Sequence, residues 1–443
     1  MAIGVPAKNA INAWSVAGAG FLTQVICIFT LNAVGMTISY FAPDFGVSVT
    51  EAAIISSVYG ITYGGFGMIW GVCADKIGVR KTLVICGCGS ALFMLLFGLF
   101  ADNLPKAVVL YACAGAFTAG LGTSLMPKLI SSWFASRWIG KALIVVSIGG
   151  TIAGVIIGIL APQLILNFSW RGCFIGIAII GFCITSLIAL LSKSNPAQYG
   201  QQPFGSSQSI TFGANTHRNN EASQEGTLAK IKRVLRMPIT WKMGIIMILI
   251  QACIYTNTTF LVTTMTAAGY TLVLAGLISS THRMSQTAGS VFWSPLTDVF
   301  AKKYILALLG FLCTAAFTAL FFLMNDVETA VFGMATGFVL IAFLGFNKAF
   351  IPVYESQITE LYPPEILGTG SGIIVSLSLI GRFFGPLIAA EIANLTGTYN
   401  SIWLFNAFCV CTMALLVLLW IPKTGGSKYG NPFTTTENNE IAE

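Results

Sequence analysis

What most limits the folds open to this chain is a succession of apolar runs of about twenty residues, the length of helix that crosses a bilayer's hydrocarbon core. Twelve can be marked, near 15–40, 52–72, 82–101, 106–128, 140–162, 172–192, 238–262, 272–296, 304–324, 330–353, 368–391 and 401–421. Hydrocarbon offers a backbone amide no water to pair with, so each run must close its own hydrogen bonds as a helix. Composition agrees, since 56% of the 443 residues are hydrophobic and 9% charged, a balance that would leave a soluble domain prone to precipitate. The expected fold is an all-α, multi-pass membrane protein of twelve transmembrane helices.

An even number of spans leaves both termini on one side, and lysine and arginine decide which. All of the twenty-three basic residues except Lys106, Arg171, Arg283, Lys348 and Arg382 fall in the N-terminus, the even-to-odd loops with the span ends that adjoin them, or the C-terminal tail. Both termini are therefore expected in the cytoplasm, the membrane being the inner membrane of a bacterium. The net charge of +7 then records topology and implies no nucleic acid. The opening "MAIGVPAKNAINAW" lacks a basic n-region and an adjoining cleavage site, so the first run reads as a helix and not as a signal. Nearly all eleven cysteines lie in or at the ends of apolar runs, where they act as small hydrophobes. The pairs Cys86/Cys88 and Cys409/Cys411 have no histidine or acid near them in sequence, and no metal or other cofactor is expected.

The chain divides into a first half (1–192), a cytoplasmic linker (193–236), a second half (237–424) and a cytoplasmic tail (425–443). The Gly, Ser, Asn and Gln content of the linker reads as flexible, and its basic end, "KIKRVLR", as a helix lying on anionic headgroups. The halves repeat one another. "IWGVCADKIGVRKTL" (69–83) aligns with "FWSPLTDVFAKKYIL" (292–306), setting Trp70 on Trp293 and Asp75 on Asp298, and "SSWFASRWIGKAL" (131–143) echoes "TELYPPEILGTGS" (359–371). Two parallel six-helix halves are a known transporter architecture.

With these features on the page the chain resembles the major facilitator superfamily over all twelve spans. The family's loop signature between helices 2 and 3, Gly-x-x-x-Asp-Arg/Lys-x-Gly-x-Arg-Lys/Arg, is met by Gly71, Asp75, Lys76, Gly78, Arg80 and Lys81. The resemblance implies a conformational latch there, with the aspartate engaging helix ends and basic partners. Asp298 is the counterpart in the second copy, which departs from the pattern at Ser294, Val299 and Ala301, so that latch is expected to be weaker. "KLISSWFASRWIGKAL" and "ESQITELYPPEILGTGSG" look like loops of organic-anion members, among them oxalate/formate exchangers, monocarboxylate carriers and anion:cation symporters.

The chemistry concentrates on "SSTHRMSQTAG", which puts Arg283 near the middle of the eighth span. An arginine at bilayer depth costs roughly 2.5–3.5 kcal/mol on the insertion scale, so such a residue is normally kept by what it binds. Arg382 lies equally deep in the eleventh span, and no Asp or Glu falls at the midplane of any span. An anionic substrate is the natural partner, each guanidinium forking onto a carboxylate. The resemblance adds that oxalate-type carriers hold one basic residue on each of these two helices, a lysine on the second of them. Lys348 is expected on the inner half of the tenth span, within reach of Glu355 or headgroups, as a substrate or gating residue. His282 is the candidate proton carrier. Asn32, Tyr59, Tyr63, Gln251, Tyr255, Asn257 and Gln286 are candidates to complete the cavity; Tyr59 and Tyr63 share a face at i,i+4 and align with His282 and Gln286 across the repeat.

No Walker A sequence, nucleophile elbow or HExxH is present, so an enzyme is not expected. The leading reading is a secondary transporter, expected to be a monomer, that moves a small mono- or dicarboxylate by alternating access, as proton symport or anion exchange. The alternatives are an organophosphate or drug transporter of the same fold and a non-transporting membrane sensor.

Overall fold

The computed structural model describes residues 7–122, 125–193, 196–205, 227–324, 333–363 and 366–422. In chain order these form α1 (Ala7–Asp44), α2 (Val49–Ala52), α3 (Ile54–Ile77), α4 (Val79–Phe100), α5 (Leu104–Thr118), α6 (Met126–Trp133), α7 (Ser136–Leu191), α8 (Thr227–Arg236), α9 (Pro238–Ala267), α10 (Leu272–Val299), α11 (Lys302–Leu323), α12 (Ala335–Asn347), α13 (Phe350–Leu361), α14 (Leu367–Thr396) and α15 (Ser401–Trp420). Among the described residues there is no β-strand, only an isolated bridge between Phe134 and Phe204.

Nine helical stretches among the described residues are long and apolar enough to cross a membrane. The other three expected spans are accounted for by three particulars. Helix α7 is two spans joined at Ser169, whose φ of 65° reverses the chain; Ala142 and Val146 before it pack in one core with Ala13 and Val16 of α1, while Phe174 after it stacks on Phe97 of α4 at 4.2 Å. Helix α5 is apolar but short. Helix α10 is long enough, but His282, Arg283, Gln286 and its serines and threonines make it too polar to count. The outward stripe Ile148, Ile152, Ile156 and Ile159 of α7 is 41–49% exposed, an apolar face at i,i+4 and i,i+3 spacing of the kind lipid covers.

Contacts group the chain into two compact units. The first comprises the described residues of Met1–Ser209 with Thr258–Thr266 and Thr271–Ser280; the second comprises those of Ile210–Asn257, Ala267–Tyr270 and Thr281–Glu443. The first unit is built on aromatics: Tyr59 lies between Tyr63 and Tyr111, and Phe97, Phe174 and Trp170 continue the cluster edge to face. Trp170 ends it with a 2.6 Å hydrogen bond from its indole nitrogen to Asp44.

The linker departs from expectation. Residues 196–205 are not a loose tether: Phe204 accepts from the Ala135 amide at 3.0 Å and donates to the Trp133 carbonyl at 2.7 Å, and its ring packs against Trp14, Phe134 and Trp138. Asn12 donates to Gln201 at 2.9 Å. Aromatic burial outweighs the flexibility that the polar composition suggested, because one phenylalanine finds three rings. The basic end is a helix, α8, with Val234 buried and Lys232 and Arg236 exposed. The stretch between lies outside the described residues.

Candidate substrate site

The second unit holds the mid-helix cations. Arg283 lies close to the middle of α10 and Arg382 at the middle of α14. Two close helix approaches position them. A methyl on Gly381 would sit 2.1 Å from the Ile248 carbonyl oxygen, so α14 meets α9 backbone to backbone; Arg382 then lies over the Tyr255 ring, its guanidinium carbon 5.4 Å from the ring centre. A methyl on Gly345 would sit 2.5 Å from the His282 carbonyl oxygen, and one on Gly289 would sit 1.9 Å from that of Phe346, which brings α12 flush against α10.

The expectation of two unpartnered guanidiniums is therefore amended. Arg382 has the face of Tyr255, although its Nε finds no hydrogen-bond acceptor among the described residues. Pro386 lies four residues on, and because proline has no N–H the Arg382 carbonyl lacks its helical donor.

Lys348 is where the structure differs most from the sequence reading. The tenth span is not continuous: α12 ends at Asn347 and α13 begins at Phe350, with Lys348 and Ala349 between them at ψ of 27° and 38°. The cause is Pro352, which can neither donate to the Lys348 carbonyl nor clear it sterically. The released carbonyl faces Gln286 of α10, whose amide nitrogen is 3.4 Å away. Lys348 itself is 2% exposed, so it does not reach headgroups. Its electrostatic neighbours are Cys253, Cys313 and Arg283, and Glu355 is not among them. His282, 5% exposed, is within electrostatic reach of both Lys348 and Arg283, and its Nε2 has no hydrogen-bond partner among the described residues.

The structure thus gathers His282, Arg283, Gln286 and Lys348 around the α12–α13 break and pairs Arg382 with Tyr255. Gln251 and Asn257 are buried on α9. The remaining candidates belong to the first unit. Tyr59 is 1% exposed and stacked 5.8 Å from Tyr63, so it serves as core packing; Tyr63 is half-buried. The Asn32 amide donates to its own helix at Ile28, 2.7 Å away. Among the described acids of the second unit, Glu355 stands at the middle of α13, Glu360 near its end and Glu391 in the last turns of α14. Asp326, Glu328 and Glu365 lie outside the described residues, as does the side chain of Asp298.

In the loop of the first unit Gly78 carries φ 90°, ending α3 and starting α4 in one residue, a conformation that favours glycine. Asp75 forms an ion pair with Lys128 of α6, a partner that sequence reading did not name. Arg80 donates to the Ala189 carbonyl at the end of α7, at 2.7 Å from Nη2 and 3.2 Å from Nε. Its repeat counterpart Lys303 does the same for the Leu418 and Ile421 carbonyls at the end of α15, at 3.4 and 3.2 Å. Each half thus closes the C-terminal end of its last helix with a cation, as the helix dipole favours. Lys76 and Lys81 are exposed, and a side chain at Gly71 would meet open space. The second unit adds a buried pair of its own, Lys302 with Glu360 at 2.5 Å and with the Ser356 carbonyl at 3.0 Å.

Comparison with known proteins gives a consistent answer. The family model described as Major Facilitator Superfamily matches residues 20–332 and 269–443. The chain is 22% identical over 410 residues to the probable galactarate/D-glucarate transporter GudP of Bacillus subtilis, covering 88% of this chain and 87% of that one. It is 26% identical over 183 residues to the hexuronate transporter of the same organism, a match that spans 42% of the relative's length. The crystal structure of D-xylose-proton symporter superposes with a TM-score of 0.73 at 14% identity, covering 94% of this chain and 99% of that one.

Proposed function

Because the chain belongs to the major facilitator superfamily, a family of multi-pass membrane transporters and not of enzymes, we propose that it carries a small organic anion, a mono- or dicarboxylate, by alternating access. One observation carries this reading: Arg283 and Arg382 are set deep in helices of one unit and Lys348 in the buried break between α12 and α13, and among the described residues no carboxylate is an electrostatic neighbour of Lys348. Cations held in low dielectric are costly unless an anion offsets them, and the substrate is that anion. The relatives named for galactarate/D-glucarate and hexuronate support the same class, since each of those substrates is a carboxylate.

On this reading Arg283 forks onto a carboxylate, and Arg382, held on Tyr255, takes the second charge of a dicarboxylate. Gln251, Tyr255, Asn257 and Gln286 supply hydrogen bonds. Asp75 with Lys128 is the latch, and Gly78 shapes its loop. The protein lies in a bacterial inner membrane with both termini and the 193–236 linker in the cytoplasm, which reporter fusions at the linker would test.

The deciding experiment measures thermal stabilisation of the purified protein by acetate, malonate, D-glucuronate and D-glucarate, in the native chain and in Arg283→Gln. Stabilisation of the native protein that is lost in a folded Arg283→Gln supports the reading. Equal stabilisation of both would leave helix packing as the role of that arginine.

A further inference from the structure

Lys348 is buried in the α12–α13 break, where Pro352 interrupts the helix. Among the described residues, the ionisable groups within electrostatic reach of it are Cys253 of α9, His282 and Arg283 of α10 and Cys313 of α11, none of them an acid. Gly345 against the His282 carbonyl and Gly289 against that of Phe346 hold α10 and α12 in close backbone contact, which keeps the helix positions of Arg283 and Lys348 near one another. An ammonium in this position has a like charge within electrostatic reach and, among the described residues, no countercharge, whereas an anion docked on Arg283 would provide one.

We infer that Lys348 is the proton-coupling group of this carrier: as an anion docks on Arg283, a proton from water on the same side joins the lone pair of the Lys348 amine, and departure of the anion on the other side returns it. This rests on the anion reading of the site. The new N–H bond forms as the anion arrives and breaks as it leaves, so anion and proton move together and no other reactant is needed. Of the two buried bases, Lys348 takes the proton because an amine is a far stronger base than the imidazole of His282. A carrier of this kind is a proton symporter that lacks the mid-helix carboxylate usually asked to do the work, with lysine in its place.

Proton uptake is measured by titrating the purified protein with acetate, malonate, D-glucuronate and D-glucarate at about pH 7.5, where these acids are already ionised. Calorimetry in two buffers of different ionisation heat counts the protons. The native protein is expected to take up about one proton per anion, and its affinity to fall about tenfold for each unit of rising pH across the coupled range. Lys348→Arg keeps a permanent charge, so it is expected to bind the anion with almost no proton uptake and a flat pH profile, while His282→Gln keeps the native count. Lys348→Met is expected to bind more weakly, also without uptake; a purely structural lysine would lower the melting temperature and leave the proton count unchanged.

Heats that agree in both buffers for a native protein that binds would overturn the coupling and leave the anion site standing. A native proton count in either Lys348 variant would do the same, as would its loss in His282→Gln. Should neither Lys348 variant fold, a pH-independent affinity in the native protein overturns the inference and a tenfold dependence that survives in His282→Gln supports it. Failure of the native protein to bind any of the four probes removes the anion site and the coupling together.

Discussion

The two halves place different chemistry on equivalent backbone. In the first, the aligned pair Tyr59 and Tyr63 is a stacked aromatic step in a core of rings. In the second, the same two places are His282 and Gln286, set beside a broken helix with a buried lysine. Trp70 donates its indole N–H to the Ala116 carbonyl at 2.7 Å, while its counterpart Trp293 finds no acceptor among the described residues. A repeat preserves the path of the backbone, because helix packing needs only the pattern of small and apolar positions. It leaves free which half is a packed wall and which is polar, and here the polar role falls to the second.

That contrast can be broken most forcefully at the helix contacts. Gly345→Leu forces a side chain into the His282 backbone and is expected to cost more than about 4 kcal/mol, leaving little folded protein by size-exclusion profile. Gly71→Ala, in open space where the second copy already carries Ser294, is expected to melt like the native chain. If both behaved alike, the close approach of α10 and α12 would be wrong.

Next comes the tyrosine–histidine pair. Tyr59→Leu removes a ring from between two others and is expected to cost about 2 kcal/mol in denaturation, whereas His282→Leu removes an imidazole nitrogen without a partner and is expected to be neutral or stabilising. Equal losses would place the two halves on the same footing.

The loops offer a third test. Asp75→Asn is expected to lower carboxylate uptake into vesicles about tenfold, or about 1.4 kcal/mol of barrier, with the melting temperature nearly unchanged because the pair with Lys128 is exposed. Asp298→Asn, in the copy lacking the glycine and the following cation, is expected to reduce uptake less. Unimpaired uptake in Asp75→Asn would reduce that loop to a topology signal.

The smallest effect is expected at the tryptophans. Trp70→Phe loses a hydrogen bond to a partly buried carbonyl, about 1 kcal/mol, and Trp293→Phe loses none among the described residues, so their melting temperatures should separate in that order.

Much of this was legible in the residues. Apolar runs specified the spans because hydrocarbon leaves a backbone no alternative to helix, and the echo of Trp70 and Asp75 in Trp293 and Asp298 marked the repeat. The depth of Arg283 and Arg382 followed from counting along their runs. The break at Lys348 was legible too, in Pro352 four residues on, but an apolar run hides it because hydropathy does not register a missing N–H. Three features had no local signal. Phe204 fastens part of a polar linker onto Trp14, Phe134 and Trp138, Lys128 meets Asp75, and Tyr255 lies under Arg382.

The sequence by itself determined the class, the membrane spans and the residues that carry charge into them, since each of these depends on composition within one segment. Only the tertiary structure decided which charges share a neighbourhood. Arg283 and Lys348 lie 65 positions apart in the chain, and they become neighbours because Gly289 and Gly345 let two backbones touch. A contact of that kind is a property of two helices at once, and neither helix carries it alone.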